Sequence, residues 1–474
     1  MFARSTRRPQ WIRSGVIVSL LFASASSHAQ HSEHDIPRHD SLRGGSQLYD
    51  IMKQGELEGR FRLYNMLTVN EGTPSDYHAV AFGGTLGFTS QRWHGVRFKL
   101  SGGYTFDLAT SDLTVLDPVT GVANRYEIGL YDVNDPRHTN DLAYLHEFQL
   151  NWLSRRRTTQ VVLGKQEINS PFLNPQDGRM HPSLFEGVWA KHRYGRGTLL
   201  QGGWFYRVAP RGASEWYLVE ESMAVFPVGR NVFGEGSVHG EHLESAGIFA
   251  LNVKKPLSRA VDITVWNLHT ENVFNSALVQ VDAGNKDAKW SLSGMAIRQD
   301  ATHHRGHTND SLLFMPASEG SWAFSGRLRN VLGRFRWQLN YTRITAHGRY
   351  LMPREWGRDP FFTFLPRERN EGAGDVHAAS LNLIWRTEKG LRLQLDGGIY
   401  RLPEIVDPRL NKYAMPSYTQ FDVNAQYQFR GGWQGLAVQL LVLAKLPLDD
   451  HLTAKQSIHK VDMLHADLIL NYLF

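Results

Sequence analysis

The last residues of the chain alternate strictly between two kinds of side chain. From residue 464 onward every even position is apolar: Leu464, Ala466, Leu468, Leu470, Tyr472 and Phe474. Most residues between them are polar, such as His465 and Asp467. A period of two predicts a β-strand with two unlike faces. The same alternation recurs at 421–430, 334–342 and 142–152, so the sequence predicts an all-β fold.

Segments of this kind cover most of the chain. We predict strands near 56–70, 77–90, 94–107, 141–154, 157–168, 184–195, 197–209, 241–254, 258–270, 273–283, 286–299, 319–331, 333–347, 375–388, 390–401, 416–429, 434–446 and 461–474. The total is about eighteen, an even number within the range of solute-conducting barrels.

The connections between these strands alternate in length. Every second one is a tight turn, near 91–93, 155–156, 195–196, 256–257, 284–285, 332–333, 389 and 431–432. The others are mostly long, at 108–140, 169–183, 210–240, 300–318, 348–374, 402–415 and 447–460, with short ones at 71–76 and 271–272. Outer-membrane barrels have short periplasmic turns and longer external loops, whereas a soluble sandwich gives no reason for this alternation. We therefore predict a transmembrane antiparallel β-barrel over residues 56–474, with both termini in the periplasm.

The beginning of the chain has the pattern of a cleaved signal peptide. Arginines precede a short apolar run at 15–25, and Ser27 and Ala29 place small residues before a cleavage site at Gln30. Residues 1–29 are thus expected to be removed, and 30–55 to form a flexible periplasmic lead. The apolar run is too short to cross a bilayer as a helix. An Arg7-Arg8 twin-arginine signal is the less favoured alternative. The predicted location is the bacterial outer membrane.

Composition narrows the partners that we expect. The chain has no cysteine, which excludes disulfides and thiolate metal sites. Its net charge of +6 leaves anionic lipid and anionic solute as candidate partners. An exported chain without a basic tail or a binding motif is not expected to bind nucleic acid. We expect contacts with outer-membrane lipid and lipopolysaccharide, and with the barrel-assembly machinery through the last strand, which ends at Phe474 and looks like the C-terminal signal of outer-membrane proteins.

Two segments resemble a known family. Residues 163–187 read LGKQEINSPFLNPQDGRMHPSLFEG, and the later run has PREWGRDPFF at 353–362 followed by PRERNEG at 366–372. Both are similar to segments of the OprD-type porins, and the resemblance extends over nearly the whole mature chain. It implies an eighteen-stranded channel, as a monomer or loose homotrimer, whose third and seventh external loops fold inward. It also implies substrate-selective uptake of small anionic or zwitterionic solutes that carry a carboxylate, such as amino acids, short peptides or organic acids.

The resemblance suggests which residues touch the solute. A basic track in a narrow pore attracts carboxylates, and its spread over several weak sites allows release. The candidates in the loops 169–183 and 348–374 are Arg179, Arg354, Arg358, Arg367 and Arg369, with Asp177 and Asp359 as opposing charges. Arg334 and Arg336, on the polar row of the predicted strand 333–347, are candidates to extend the track. Alternatively, these arginines hold the loops in place by pairing with acids such as Glu355 and Glu371.

Other functions receive less support from the sequence. His303, His304 and His307 cluster in one loop, and His31, His34 and His39 lie in the lead, but no carboxylate is obviously fixed beside them. We therefore predict no metal site and no cofactor. No Gly-x-Ser-x-Gly elbow is present, so an enzyme is not expected. A selective channel is the favoured interpretation, ahead of a general diffusion porin and of a barrel enzyme or adhesin.

Overall fold

The protein is a nineteen-stranded antiparallel sheet closed into a barrel. The computed structural model describes residues 52–175, 179–195, 197–284, 288–302, 309–367 and 369–474. The strands are β1 Glu56–Asn70, β2 Tyr77–Thr89, β3 Val96–Thr110, β4 Leu142–Leu153, β5 Thr159–Gln166, β6 Leu184–Tyr194, β7 Thr198–Ala209, β8 Tyr217–Leu218, β9 Ile248–Pro256, β10 Val261–Thr270, β11 Phe274–Ala283, β12 Trp290–Ala301, β13 Gly320–Leu332, β14 Phe335–Ile344, β15 Val376–Arg386, β16 Leu391–Arg401, β17 Tyr418–Gln428, β18 Leu436–Pro447 and β19 Met463–Leu473.

Within the described ranges, the helical elements with defined bounds are single turns. Val219–Ser222 and Ala454–Ser457 are α-helical, and Glu127–Leu130, His239–Glu241, Asp310–Leu312 and Gly431–Trp433 are 3₁₀. Among the residues that the structure describes, no helix has the length and apolar character needed to cross a membrane.

The barrel closes because its first and last long strands pair with each other. In β1, Leu63 is the register partner of both Phe82 in β2 and Leu470 in β19. The two-residue strand β8 pairs only with β7, and β7 pairs directly with β9, so eighteen strands form the wall. Closure gives every strand of the wall two neighbours and removes the exposed edges of an open sheet. The predicted barrel of eighteen strands is thereby confirmed.

The two faces of the wall have opposite character. On β17, the side chains of Phe421 and Val423 are exposed on the outside, whereas Gln420, Asp422 and Asn424 are buried toward the interior. A soluble protein would place the apolar row inside. An apolar outer wall around a polar interior is the arrangement of a barrel that sits in lipid.

Most predicted strand boundaries agree with the structure, with one clear departure. The strand expected from residue 241 begins at Ile248, after Gly247. Gly247 has φ +139°, and a Cβ there would lie 2.4 Å from the carbonyl oxygen of Phe205. That backbone conformation suits glycine alone, and it separates the loop from the strand. The extra strand β8 was not predicted, since two residues show no periodicity.

A hydrophobic core lies inside the barrel rather than between two sheets. Trp356 and Phe361 of the seventh external loop (345–375) are fully buried. They belong to one cluster with Phe172 of the third loop (167–183) and Phe314 of the sixth (302–319). Several long loops therefore pack against each other within the wall.

Candidate solute pathway in the barrel lumen

The seventh loop is fastened to the inner surface of the wall. Gln299 of β12 exchanges two hydrogen bonds with the backbone of Leu351, at 2.8 and 2.7 Å. Further along, Gln420 of β17 donates to the carbonyl oxygen of Pro366 at 2.7 Å. Because both glutamines are fully buried on the lumenal face, this loop lies within the barrel.

The third loop, which connects β5 and β6, is bonded to the inner side of β1. Arg60 of β1 donates through Nη2 to the carbonyl oxygen of Met180 at 3.0 Å, and Arg62 hydrogen-bonds the carbonyl oxygen of Arg179. Arg179 in turn donates through Nη1 to the carbonyl oxygen of Tyr126 in the second loop (111–141), at 2.8 Å. Charged donors bonded to backbone oxygens hold this segment across the barrel.

The third and seventh loops are also joined to each other. The backbone N–H of Asn174 donates to the carbonyl oxygen of Trp356 at 2.9 Å, and its side-chain oxygen accepts from the N–H of Arg358 at 3.0 Å. Ser183 Oγ donates to the carbonyl oxygen of Glu355 at 2.7 Å. The two loops that the sequence singled out thus form one connected unit inside the wall.

Beside this unit lies a cavity of about 1750 Å³. Among the residues that the structure describes, its lining contains sixteen Arg and Lys side chains and six Asp and Glu side chains. The basic residues are Arg60, Arg62, Arg97, Lys99, Arg125, Arg179, Lys191, Arg211, Arg230, Arg354, Arg358, Arg367, Arg369, Lys412, Lys445 and Lys460. Such an imbalance gives the cavity a positive electrostatic potential. Because the cavity lies inside a wall of low dielectric constant, this potential is screened less than it would be in bulk water.

All five arginines that the sequence proposed in the two loops line this cavity: Arg179, Arg354, Arg358, Arg367 and Arg369. Each also makes structural contacts. Arg354 Nε pairs with Glu371 at 2.7 Å, Arg367 Nη2 pairs with Asp467 at 2.8 Å, and Arg369 donates to the carbonyl oxygen of Gly357 at 2.9 Å. The same side chains therefore line the cavity and hold the loops in place. Whether they contact solute stays a prediction.

The remaining candidates lie elsewhere. Asp359 does not line the cavity; its Oδ2 accepts the backbone N–H groups of Asn370 and Glu371 at 2.6 and 3.0 Å. Arg334 is exposed at a tight turn and pairs with Glu388, and Arg336, on β14, is not among the cavity-lining residues. Asp177 lies outside the described residues, as do His303, His304 and His307. In the described part of the chain, no group of His, Asp and Glu residues is arranged to hold a metal ion.

Several cavity-lining cations were missed at the level of sequence. Arg60 and Arg62 lie on the row of β1 that faces the lumen. The signal for them in the sequence is their place at alternate positions of a predicted strand, in one row with Tyr64. Lys412 enters from the eighth loop (402–417), where its N–H donates to Gly372 at 2.8 Å and its carbonyl oxygen accepts from Arg230 at 3.0 Å. No local pattern marks a loop lysine that tertiary contacts bring into the lumen.

Crowding of positive charge affects the loop lysines. Burial, followed by repulsion from Arg125 and Arg230, lowers the pKa of Lys460 to about 8. Burial also lowers the pKa of Lys412 to about 8, against the attraction of Glu371. Lysines with lowered pKa values lose their charge more readily as the pH rises, so the positive potential of the cavity depends on pH.

Comparisons with solved structures identify the same architecture. OccK9 (OpdG) of Pseudomonas aeruginosa has a TM-score of 0.67 and 16% identity, covering 90% of this chain and 99% of that one. OccD3 (OpdP) of the same organism has a TM-score of 0.67 and 12% identity, with coverages of 95% and 98%. OpdK of Pseudomonas aeruginosa, solved with vanillate, has a TM-score of 0.65 and 14% identity, with coverages of 90% and 99%.

These proteins are OprD/Occ-type porins rather than enzymes. No protein-family model matches the sequence, and a comparison with curated proteins finds no relative. At such low identity the likeness concerns the fold. Together with the closed, apolar-walled barrel, it supports the predicted bacterial outer-membrane location. The chain has the eighteen-stranded barrel fold of the OprD/Occ-type outer-membrane porins.

Proposed function

We propose that this protein is a passive outer-membrane channel for small solutes that carry a carboxylate, such as amino acids, short peptides or organic acids. The constriction is formed by the inward-folded loops 169–183 and 348–374. The observation that carries the proposal is the excess of basic over acidic side chains among the described residues around the cavity, sixteen against six.

The physical basis is electrostatic attraction without tight capture. A positive, partly enclosed lumen raises the local concentration of anions. Conduction also requires that a solute leave, which favours many weak sites over one strong site. The basic groups belong to several loops and strands, so a carboxylate can pass from one to the next.

The cavity also has an apolar side, which suits the body of an organic acid. Phe226, Phe364, Met415 and Ile458 line it together with the cations. Pockets for small molecules commonly combine apolar walls with a few orienting polar groups. The structure of OpdK, which has a similar fold, was solved with vanillate, an aromatic carboxylate, and this supports an organic acid as the solute.

The test is conductance of the purified full-length protein in a planar bilayer, with a salt gradient to measure ion selectivity. Benzoate and glutamate are then added to one side. We expect small anion-selective channels that at least one carboxylate blocks. Large channels without selectivity or block would indicate a general diffusion porin and overturn the proposal.

A pair of variants connects the result to the cavity. Arg358→Gln removes a lining cation and is expected to weaken carboxylate block about tenfold, as for the loss of one charge-assisted contact. Arg334→Gln, in the exposed pair with Glu388, removes the same charge outside the cavity. If a carboxylate blocked both variants equally, the lining cation Arg358 would not contribute to the selectivity for carboxylates.

A further inference from the structure

Three neighbouring strands carry a row of basic side chains on the outside of the barrel. Arg343 on β14 is the register partner of His377 on β15, which is in turn the partner of Arg401 on β16. Directly opposed residues in an antiparallel pair have Cβ atoms about 4.5–5.5 Å apart. The row is therefore continuous.

Alternation along each strand shows that this row faces away from the lumen. The next residues on the same three strands, Thr342, Ala378 and Tyr400, are buried toward the interior. His377 and Arg401 are exposed, and the side chain of Arg343 keeps 28% of its surface exposed. The row is separate from the cavity described above, which none of its members lines.

The row has little internal compensation for its charge. Asp375 pairs with Arg343 at 2.6 Å, and Tyr341 Oη lies 2.7 Å from Nδ1 of His377. When Tyr341 donates this bond, the neutral imidazole keeps its proton on Nε2 and presents a donor. The side chain of Arg401 makes no hydrogen bond or ion pair with any residue that the structure describes. The charge of Arg401 is therefore not compensated within the described part of the protein, and an external anion at this row would compensate it.

The position of the row along the barrel axis places it at the surface of the lipid bilayer. It lies at the ends of the strands that lead into or out of the long loops. Toward the middle of the wall, the outward positions become Tyr341 and Ile399, then Leu339 and Leu381. Basic side chains just beyond an apolar belt lie at the level of lipid head groups.

Neighbouring strands show that the row is not a general feature of the outer wall. On β17 and β18, all of whose residues the structure describes, the outward positions carry no Arg or Lys: Thr419, Phe421, Val423, Ala425 and Tyr427, then Leu440, Val442, Ala444 and Leu446. On this side, positive charge at the level of the row therefore ends at β16. In the other direction, the outward Phe324 of β13 faces Arg343, and the outward Arg298 of β12 pairs with Asp300.

We propose that Arg343, His377 and Arg401 bind a phosphate group of lipopolysaccharide in the outer leaflet. The ligand is assigned by charge complementarity: two guanidinium groups and an imidazole donor suit a phosphate at the membrane surface. The proposal rests on the outer-membrane location and not on the proposed transport of carboxylates.

The test measures lipid binding to the detergent-purified full-length protein by native mass spectrometry. The probes are diphosphorylated lipid A, the same lipid A after enzymatic removal of both phosphates, and phosphatidylglycerol. We expect wild-type protein to prefer the first probe. If dephosphorylated lipid A bound as well as diphosphorylated lipid A, the proposal would be overturned. If phosphatidylglycerol bound as well as diphosphorylated lipid A, lipopolysaccharide would be rejected as the source of the phosphate.

Variants locate the site. Arg343→Gln combined with Arg401→Gln should weaken lipid A binding by about fivefold for each arginine. Lys255→Gln is the matched control, since Lys255 is exposed on β9 at the opposite, tight-turn end of the barrel. Unchanged affinity in the double variant, or an equal loss in the control, would refute the assignment to this row. Conductance of the same preparations tests the channel separately.

Discussion

Arg354 of the seventh loop stacks on Tyr413 of the eighth, with Cζ 3.4 Å from the ring centroid. Glu371 accepts hydrogen bonds from both, from Arg354 Nε at 2.7 Å and from Tyr413 Oη at 3.2 Å. One carboxylate and one aromatic ring thus fix a cavity-lining cation. The contact also joins two loops that are distant in sequence.

Tyr413→Leu should loosen this junction. It removes the cation–π contact, worth about 1–2 kcal/mol in a desolvated site, and one hydrogen bond to Glu371. We expect larger current fluctuations in the open channel and faster amide exchange in residues 366–374, with the barrel intact. Arg409→Gln alters an exposed residue of the same loop and should leave both quantities unchanged. Quiet currents and unchanged exchange in Tyr413→Leu would show that the junction is not needed for loop order.

Anion selectivity should decline as the pH rises from 7 to 9. Lys460 and Lys412 are protonated below their pKa values of about 8 and lose positive charge above them. The measurement is the reversal potential in a salt gradient at each pH. Lys460→Arg keeps its charge over this range and should reduce the pH effect. A selectivity that is constant with pH in the wild type would contradict the prediction.

Asp359→Ala should destabilise the seventh loop from within. Asp359 accepts two backbone N–H groups, and a buried donor left without a partner costs about 1–3 kcal/mol. Hydrogen exchange at Asn370 and Glu371 should accelerate at least tenfold. Asp359→Asn retains an acceptor oxygen and should show a smaller effect. Equal exchange in the alanine variant and the wild type would mean that other contacts hold this turn.

Gly59→Leu should impair closure of the barrel. A Cβ at Gly59 would lie 2.2 Å from the ring of Phe474, whose backbone exchanges hydrogen bonds with Gly59 at 2.9 and 3.1 Å. Overpacking of this kind typically costs about 1–3 kcal/mol. We expect less folded, heat-modifiable protein in outer-membrane fractions. Gly294→Leu, on β12 with open space around its Cα, is the control that should fold normally. Normal assembly of Gly59→Leu would show that Phe474 can move aside.

The barrel was predictable because its wall is built from a local pattern. Alternation at 421–430 fixes which side chains of β17 face lipid, and no distant contact is needed to infer it. The late start of β9 was not predictable in this way, since it depends on how closely Gly247 approaches Phe205. Boundaries that long-range contacts set leave little trace in periodicity.

The lumen was predictable only in part. The family-like segments led to Arg354, Arg358 and Arg367, which do line the cavity. In contrast, an acidic residue such as Asp359 has the same local sequence whether it faces a solute or bonds to two backbone amides. Lys412 and Lys460 reach the cavity through tertiary folding of their loops. The positions of these side chains depend on the three-dimensional fold and not on the local sequence.

Pairing of the first strand with the last has a consequence for biogenesis. Arg62 Nε donates to Asn471 Oδ1 at 2.7 Å, and these residues are 409 positions apart in the chain. The seam between β1 and β19 can form only after the ribosome has finished the chain and the whole polypeptide has been exported. Contacts of such high sequence separation form slowly, which leaves unpaired strands prone to aggregation. The unfolded protein must therefore be protected from aggregation on its way to the outer membrane, until β1 pairs with β19.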